Sequence, residues 1–199
     1  MRSPGDPQGN DVLSPQRLLG LAGALYAVLF GAALLWTTVD GRSLWFASLA
    51  AQRRGIALLP DAGAGALTGA AVVILSRLLT RRTRWGAALA RRLGGLLGAL
   101  SLRDCWLLAA LSGVAEEAFF RGALQPRVGL LAASAIFALA HFAPQRELLP
   151  WTAFSLLAGL ALGGLFAATG NLLAPVVAHA LINGVNLRFL SVHYAAAPP

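Results

Sequence analysis

The sequence predicts an all-α, polytopic membrane protein, a bundle of about six transmembrane helices with one interfacial or re-entrant helix. Three observations predict it. Of 199 residues, 57% are hydrophobic and only 12% are charged, about half the charge a soluble domain uses to cover a water-facing surface. The apolar runs reach the roughly 20 residues needed to cross a bilayer. The basic residues, all of them arginine, collect between those runs, as topology-setting cations do.

The elements follow in order. Residues 1–16, MRSPGDPQGNDVLSPQ, are rich in proline, glycine and polar groups and read as a disordered tail. The first span runs from Leu18 to Val39. Its apolar core is longer than that of a signal peptide, and no convincing small-residue cleavage site follows, so it reads as a retained helix. The second span covers Ala62 to Leu79. Pro60 and Asp61 mark its start, and Gly65 and Gly69 are spaced for the close approach of a neighbouring helix. Arginines from Arg81 to Arg92 follow, and then LGGLLGALSLRD, read as the interfacial or re-entrant amphipathic stretch.

The third strong span runs from Asp104 to Leu124 and is closed by Pro126. A shorter run, Leu130 to Phe142, contains His141 and precedes Pro144. It is brief for a full span and is expected to form a partial or tilted helix. The last two spans are Leu149 to Thr169 and Leu172 to Leu190, divided by the turn TGN, with Gly159 and Gly163 marking another close contact. No internal repeat is evident. The chain divides into the tail, N-terminal helices with their arginine-rich loop (17–103), a C-terminal core (104–190) and a short tail (191–199). The arginine-dense connection between spans two and three places that loop and the N-terminus in the cytoplasm, against the pull of Arg42, Arg53 and Arg54 in the opposite loop.

A net charge of +8 raises nucleic-acid binding, but the arginines flank apolar runs without interleaved aromatics, so no nucleic-acid partner is expected. Cys105 is alone, which excludes an intrachain disulfide and any cysteine-based metal site. Arginine without lysine, amid abundant Ala, Gly and Leu, suggests a bacterial source and hence a multi-pass protein of the inner membrane.

Against this background the run SGVAEEAFFRG, residues 112–122, is unexpected. A charged side chain at a helix centre costs roughly 2.5–3.5 kcal/mol on the insertion scale, so Glu116, Glu117 and Arg121 must face protein or a hydrated cavity. On a helix Glu117 and Arg121, spaced i and i+4, share a face and can pair. Glu116 points away from Arg121, over Ser112 and Gly113, where small side chains leave room for water. Glu117 is therefore expected to be architectural and Glu116 to serve as a general base. Two more constellations follow. FALAH places Phe137 one turn before His141. HALINGVN sets His179, Asn183 and Asn186 along one stripe of an apolar helix, with Asn186 open to a purely interhelical hydrogen bond. His193 lies past the last span and is read as incidental. A carboxylate and a histidine can polarise water, while a second histidine and an amide can stabilise an oxyanion, so the set resembles a hydrolase site.

The order EEAFFRG, FALAH, GNLLAPVVAHALINGVN resembles the CPBP family of intramembrane proteases, which includes the type II CAAX prenyl endopeptidases and the bacterial Abi-type proteins. The resemblance covers residues 104–187. It implies hydrolysis of a peptide bond in a membrane-embedded or lipid-anchored substrate, either CAAX-type or a bacterial sorting or precursor peptide. It further implies Glu116 and His141 as the water-activating pair, His179 and Asn183 as the oxyanion site, and Glu117, Arg121 and Phe137 in support. No other cofactor is implied. A divalent metal, zinc, is left open. There is no His-Glu-x-x-His helix, yet Glu116, His141 and His179 could supply three ligands, and a metal-free mechanism would use the same residues. Two rivals stand beside the protease. One is a non-catalytic bacteriocin-immunity or scaffold protein of the same fold. The other is a proton-coupled transporter, which should show broken helices in repeat symmetry.

Overall fold

A computed structural model of the protein describes residues 14–195, and helices account for nearly all of them. Among the described residues there is no strand, only an isolated bridge between Phe46 and Asn171. Of the tail expected at 1–16, residues 1–13 lie outside the described region. Ser14 instead caps α1 (Pro15–Val39), with its hydroxyl accepting from Arg17 N. At the other end α8 (Leu173–His193) runs into the segment expected as a tail, and residues 196–199 lie outside the described region.

Five helices are long and apolar enough to cross a membrane by length and composition. Four are α1, α3 (Leu58–Arg82), α7 (Leu149–Thr169, entered through a 3-10 turn at Arg146–Leu148) and α8. The fifth run, Leu102–Ala140, joins α5 (Leu102–Glu117), a π-helical segment (Ala118–Leu124) and α6 (Gln125–Ala140). Laid straight, its 39 residues would span about 58 Å, twice a hydrocarbon core. It is not straight. Gly129 adopts φ 81°, ψ 168°, a conformation only glycine adopts at no steric cost, and the chain doubles back there. Phe120 and Phe137 consequently meet with ring centroids 5.0 Å apart, where an unbroken helix would hold them about 25 Å apart. The run expected as a partial or tilted helix is thus a half-helix, Leu130–Ala140, of about 16 Å. It is too short to cross a bilayer and ends at His141.

The interfacial helix lies earlier than the sequence reading put it. α4 spans Arg84–Leu97, opened by Thr83, whose hydroxyl accepts from Gly86 N, and ended by Gly98 at φ 66°. The SLRD end of the expected stretch belongs instead to α5, whose start is a reciprocal capping box between Ser101 and Asp104. α4 buries Gly86, Ala90 and Gly94 and exposes Arg91 and Arg92, the amphipathic division expected of it. The second span also begins earlier than Pro60. Asp61 reaches back to accept from Ala57 N at 3.0 Å, which starts α3 near Leu58. A one-and-a-half-turn helix, α2 (Leu49–Arg54), fills the loop between α1 and α3.

Small residues set the helix contacts. A Cβ on Gly65 would collide with the Ala174 carbonyl, and one on Gly69 would lie 3.0 Å from the Ala178 carbonyl, so α3 and α8 lie nearly backbone to backbone. Gly159 meets Ser134 and Phe137, and Gly163 meets Leu130 and Gln125, which fixes α7 against α6. The contact registers give directions. α3 runs parallel to α8, because Gly65 faces Ala174 and Ser76 meets Asn186. α5 runs antiparallel to α8, because Gly113 faces Ala180 and Leu100 N donates to Ser191 Oγ. Large apolar side chains such as Leu25, Val28, Leu67 and Leu131 stay exposed on the outside of the bundle, where lipid is their solvent.

Candidate active site

The π segment begins immediately after the paired glutamates. π turns inside α-helices recur at functional sites, and here the turn carries Arg121 beneath α7, where its Nη2 donates to the Gly159 carbonyl at 3.2 Å. Its Nη1 donates to Glu117 Oε1 at 3.0 Å, the i, i+4 pair expected from sequence, with both side chains essentially inaccessible. Glu117 Oε1 also lies 2.6 Å from His179 Nδ1. That link spans 62 residues and was not part of the sequence reading, which gave Glu117 only the arginine. Glu117 is thus a central acceptor that orients both Arg121 and His179.

Glu116 faces the other way, into a cavity of about 510 Å³ that Ser112, His141, His179 and Asn183 also line. Its Oε2 is buried and makes no direct hydrogen bond. It stands 3.7 Å from His141 Nε2 and 3.9 Å from His179 Nε2, separations that suit a bridging water better than direct contact. His141 sits at the end of the half-helix. Its Nδ1 is 2.8 Å from the Phe137 carbonyl, which accepts only from an N–H, so Nδ1 is the donor there and Nε2 is the ring nitrogen turned toward Glu116. Asn183 Nδ2 donates to Ser112 Oγ at 2.9 Å and keeps a second N–H for another acceptor.

Aromatic rings hold this arrangement in place. Phe137 lies 4.5 Å from the His141 ring and 6.1 Å from His179, and the Arg121 guanidinium stacks 4.5 Å from its centroid. Trp151 meets His141 edge-on at 5.5 Å. All seven residues singled out in sequence, Glu116, Glu117, Arg121, Phe137, His141, His179 and Asn183, therefore fall in one cluster. Asn186 does not. It accepts from Ser76 Oγ at 3.0 Å and ties α8 to α3, the interhelical role left open for it. His193 is also apart, with its ring bonded to the Phe189 carbonyl at 3.1 Å.

Tyr26 was missed. It reaches the cavity from α1, and its hydroxyl comes against the Glu116 carboxylate and Ser112. A signal existed, since it is the sole polar side chain between Leu18 and Leu35. The Gly-Asn-Leu element before α8 has a structural role. Asn171 Nδ2 donates to Asp61 Oδ2 at 2.7 Å, and its Oδ1 accepts from Leu173 N at 3.0 Å, pinning the starts of α3 and α8 together.

Zinc, left open by the sequence, would take three converging ligands. Among the described residues no group of three His, Cys, Asp or Glu side chains is arranged to hold a metal ion. The atoms a metal would draw on here are Glu116 Oε2 and the Nε2 atoms of His141 and His179.

Comparison with known proteins places this cluster in context. A family model described as type II CAAX prenyl endopeptidase, Rce1-like, matches residues 98–185, a segment containing all seven clustered residues. The uncharacterized protein YpbD of Bacillus subtilis (strain 168) is 42% identical over 80 residues, which covers 39% of this chain and 41% of that protein. The chain thus matches less than half the length of that relative. No solved structure matches it.

Proposed function

We propose that this integral membrane protein is an intramembrane endopeptidase, on the premise that residues 98–185 match the family model described as type II CAAX prenyl endopeptidase, Rce1-like. Its substrate is a membrane-embedded or lipid-anchored peptide, and its chemistry is attack by a water activated between Glu116 and His141. The observation that carries the reading is Glu116 Oε2, buried without a hydrogen bond yet aimed at two imidazoles just under 4 Å away.

The steps follow from the donors and acceptors. A water between Glu116 Oε2 and His141 Nε2 donates one proton to each and turns a lone pair toward the cavity. Glu116 accepts the proton as the water oxygen bonds to the scissile carbonyl carbon. The oxyanion formed is met by the second N–H of Asn183 and by His179 Nε2–H. For His179 to donate there while Nδ1–H donates to Glu117, it must be an imidazolium. The cluster balances that charge, since Glu116 and Glu117 carry two negative charges against Arg121 and His179. Glu116 then passes its proton to the departing amine nitrogen as the C–N bond breaks, which restores the starting state.

Reconstituted protein should cleave susceptible membrane peptides, and Glu116→Gln should slow cleavage by at least about 10²–10⁴ while insertion and melting temperature hold. His179→Ala and Asn183→Ala should each cost roughly 10²–10³. Because the proposed steps use no metal, strong chelators should leave the rate unchanged, and loss of the rate would assign a metal to this cluster. Comparative analysis of membrane peptides from cells with wild type or Glu116→Gln identifies the substrate. If Glu116→Gln leaves both processing and phenotype intact, the immunity or scaffold reading replaces this one.

A further inference from the structure

The cavity that holds Glu116 continues along α8 toward the arginine-bearing end of the bundle, where Ser76, Arg77 and Thr80 of α3 and Trp85 of α4 line it. A second groove, more open and of about 400 Å³, lies on the outer side of α3 and α8, where lipid is the solvent. Arg77 and Phe189 line both, so they form the partition between them. The outer groove is graded along the helices. Ile74 and Leu78, apolar and 59% and 49% exposed, form its membrane-ward part. Arg81 and His193 stand at its other end, in the last turns of α3 and α8. Seven residues separate Ile74 from Arg81, about 10 Å of rise.

The charge in this groove is unanswered. Among the described residues three arginines are not exposed. Arg121 meets Glu117 and Arg127 meets Asp40, whereas Arg77 meets no carboxylate. Its guanidinium is held instead by donating from Nη2 to the Val185 carbonyl at 3.0 Å and by lying 3.4 Å from the Phe189 ring centroid. Arg81, exposed and at i+4 on the same helix face, forms no ion pair among the described residues either. Like charges at that spacing repel each other, and none of the described residues lining the groove is acidic.

We propose that this groove binds one anionic phospholipid, with the phosphodiester between Arg77 and Arg81 and an acyl chain along Leu78 and Ile74. The proposal does not depend on the endopeptidase reading. A phosphodiester offers two charged oxygens, and a planar guanidinium held from one side still presents paired donors to such a group. Basic pockets between membrane helices recognise anionic headgroups in this way. The grading narrows the ligand further. Cations at the helix ends with apolar side chains beneath them match an amphiphile in its leaflet orientation, whereas a free anion would leave Ile74 and Leu78 unused. A zwitterionic headgroup is a poorer ligand, because its own ammonium repels the arginines. The negative ends of the α3 and α8 dipoles disfavour an anion against the backbone, so contact runs through the arginine side chains, which reach outward.

The test places the full chain in nanodiscs of equal phosphatidylglycerol and phosphatidylcholine, releases it, and counts the lipids it keeps by native mass spectrometry. Wild type should retain one phosphatidylglycerol with a preference of about tenfold or more, and Arg81→Gln should lower that preference about fivefold, the worth of one arginine near an anionic surface. Arg81 is exposed, so this variant should fold even if Arg77→Gln, which also loses the Val185 bond, does not. Removing two charges from the neighbouring helix, with Arg91→Gln and Arg92→Gln together, should leave the preference unchanged. Equal retention of the two lipids by wild type overturns the proposal. So does an equal loss in the α4 variant, because the attraction would then belong to the whole basic surface. A second measurement follows unfolding in detergent. Short-chain phosphatidylglycerol should raise the midpoint saturably by roughly 2–4 °C, and Arg81→Gln should lose most of that rise. A matching rise with inorganic phosphate or glycerol phosphate would assign the groove to a free anion and sink the lipid.

Discussion

Glu117 is completely buried between an arginine and a histidine, and its neighbour Glu116 is buried with no direct hydrogen bond to Oε2. The same substitution should therefore act oppositely at the two positions. Glu117→Gln leaves Arg121 uncompensated in an apolar interior and should destabilise the protein by about 3–5 kcal/mol, seen as a lowered midpoint of unfolding in detergent. Glu116→Gln relieves an unmet carboxylate and should be neutral or stabilising while activity is lost, the exchange typical of a functional group. Tyr26→Phe removes only a hydroxyl beside Glu116 and should slow cleavage up to about tenfold without altering stability. The Glu117–Arg121 pair was legible in sequence because an i, i+4 spacing is local geometry. The Glu117–His179 bond and the place of Tyr26 were not, because each depends on which helices become neighbours.

At the scale of elements, the turn at Gly129 decides where His141 stands. Gly129→Ala forces a side chain onto φ 81° and should cost at least about 1 kcal/mol. It should also lower kcat more than it lowers stability, because it moves the half-helix whose end carries His141. Gly65→Leu should be harsher, driving α3 off α8 through the Ala174 carbonyl, and should show as loss of folded protein on size exclusion. Apolar runs and small-residue spacings gave the long helices and their contacts correctly from sequence. The interfacial helix was misplaced because both α4 and the stretch after it are rich in Leu, Gly and Arg. Only the capping choices at Thr83, Gly98 and Ser101 settle where one helix stops and the next begins.

Over the whole molecule, the first half of the chain contributes more than an anchor. α1 supplies Tyr26, α3 supplies Arg77 and α4 supplies Trp85 to a cavity whose proposed catalytic side chains all come from the second half. The family-like segment, 98–185, therefore holds the groups proposed to react but only part of the walls. Three short motifs carry the residues proposed to react, and their clustering was legible in sequence, whereas the walls come from helices that carry no motif. Substrate choice should accordingly be transferable by exchanging residues of α1, α3 and α4 between relatives, and transfer should leave dependence on Glu116 untouched.

The cavity's extension toward the arginine-bearing end of the bundle has a consequence for traffic across the membrane. On the proposed reading, a segment presented from that face passes between α3 and α4 before it reaches Glu116, whereas one presented from the other leaflet meets the tight α3–α8 contact at Gly65 and Gly69. Processing should then be vectorial. Two identical peptide ends displayed on opposite sides of one bilayer would have different lifetimes, and the protein would serve as a reader of topology as well as of sequence.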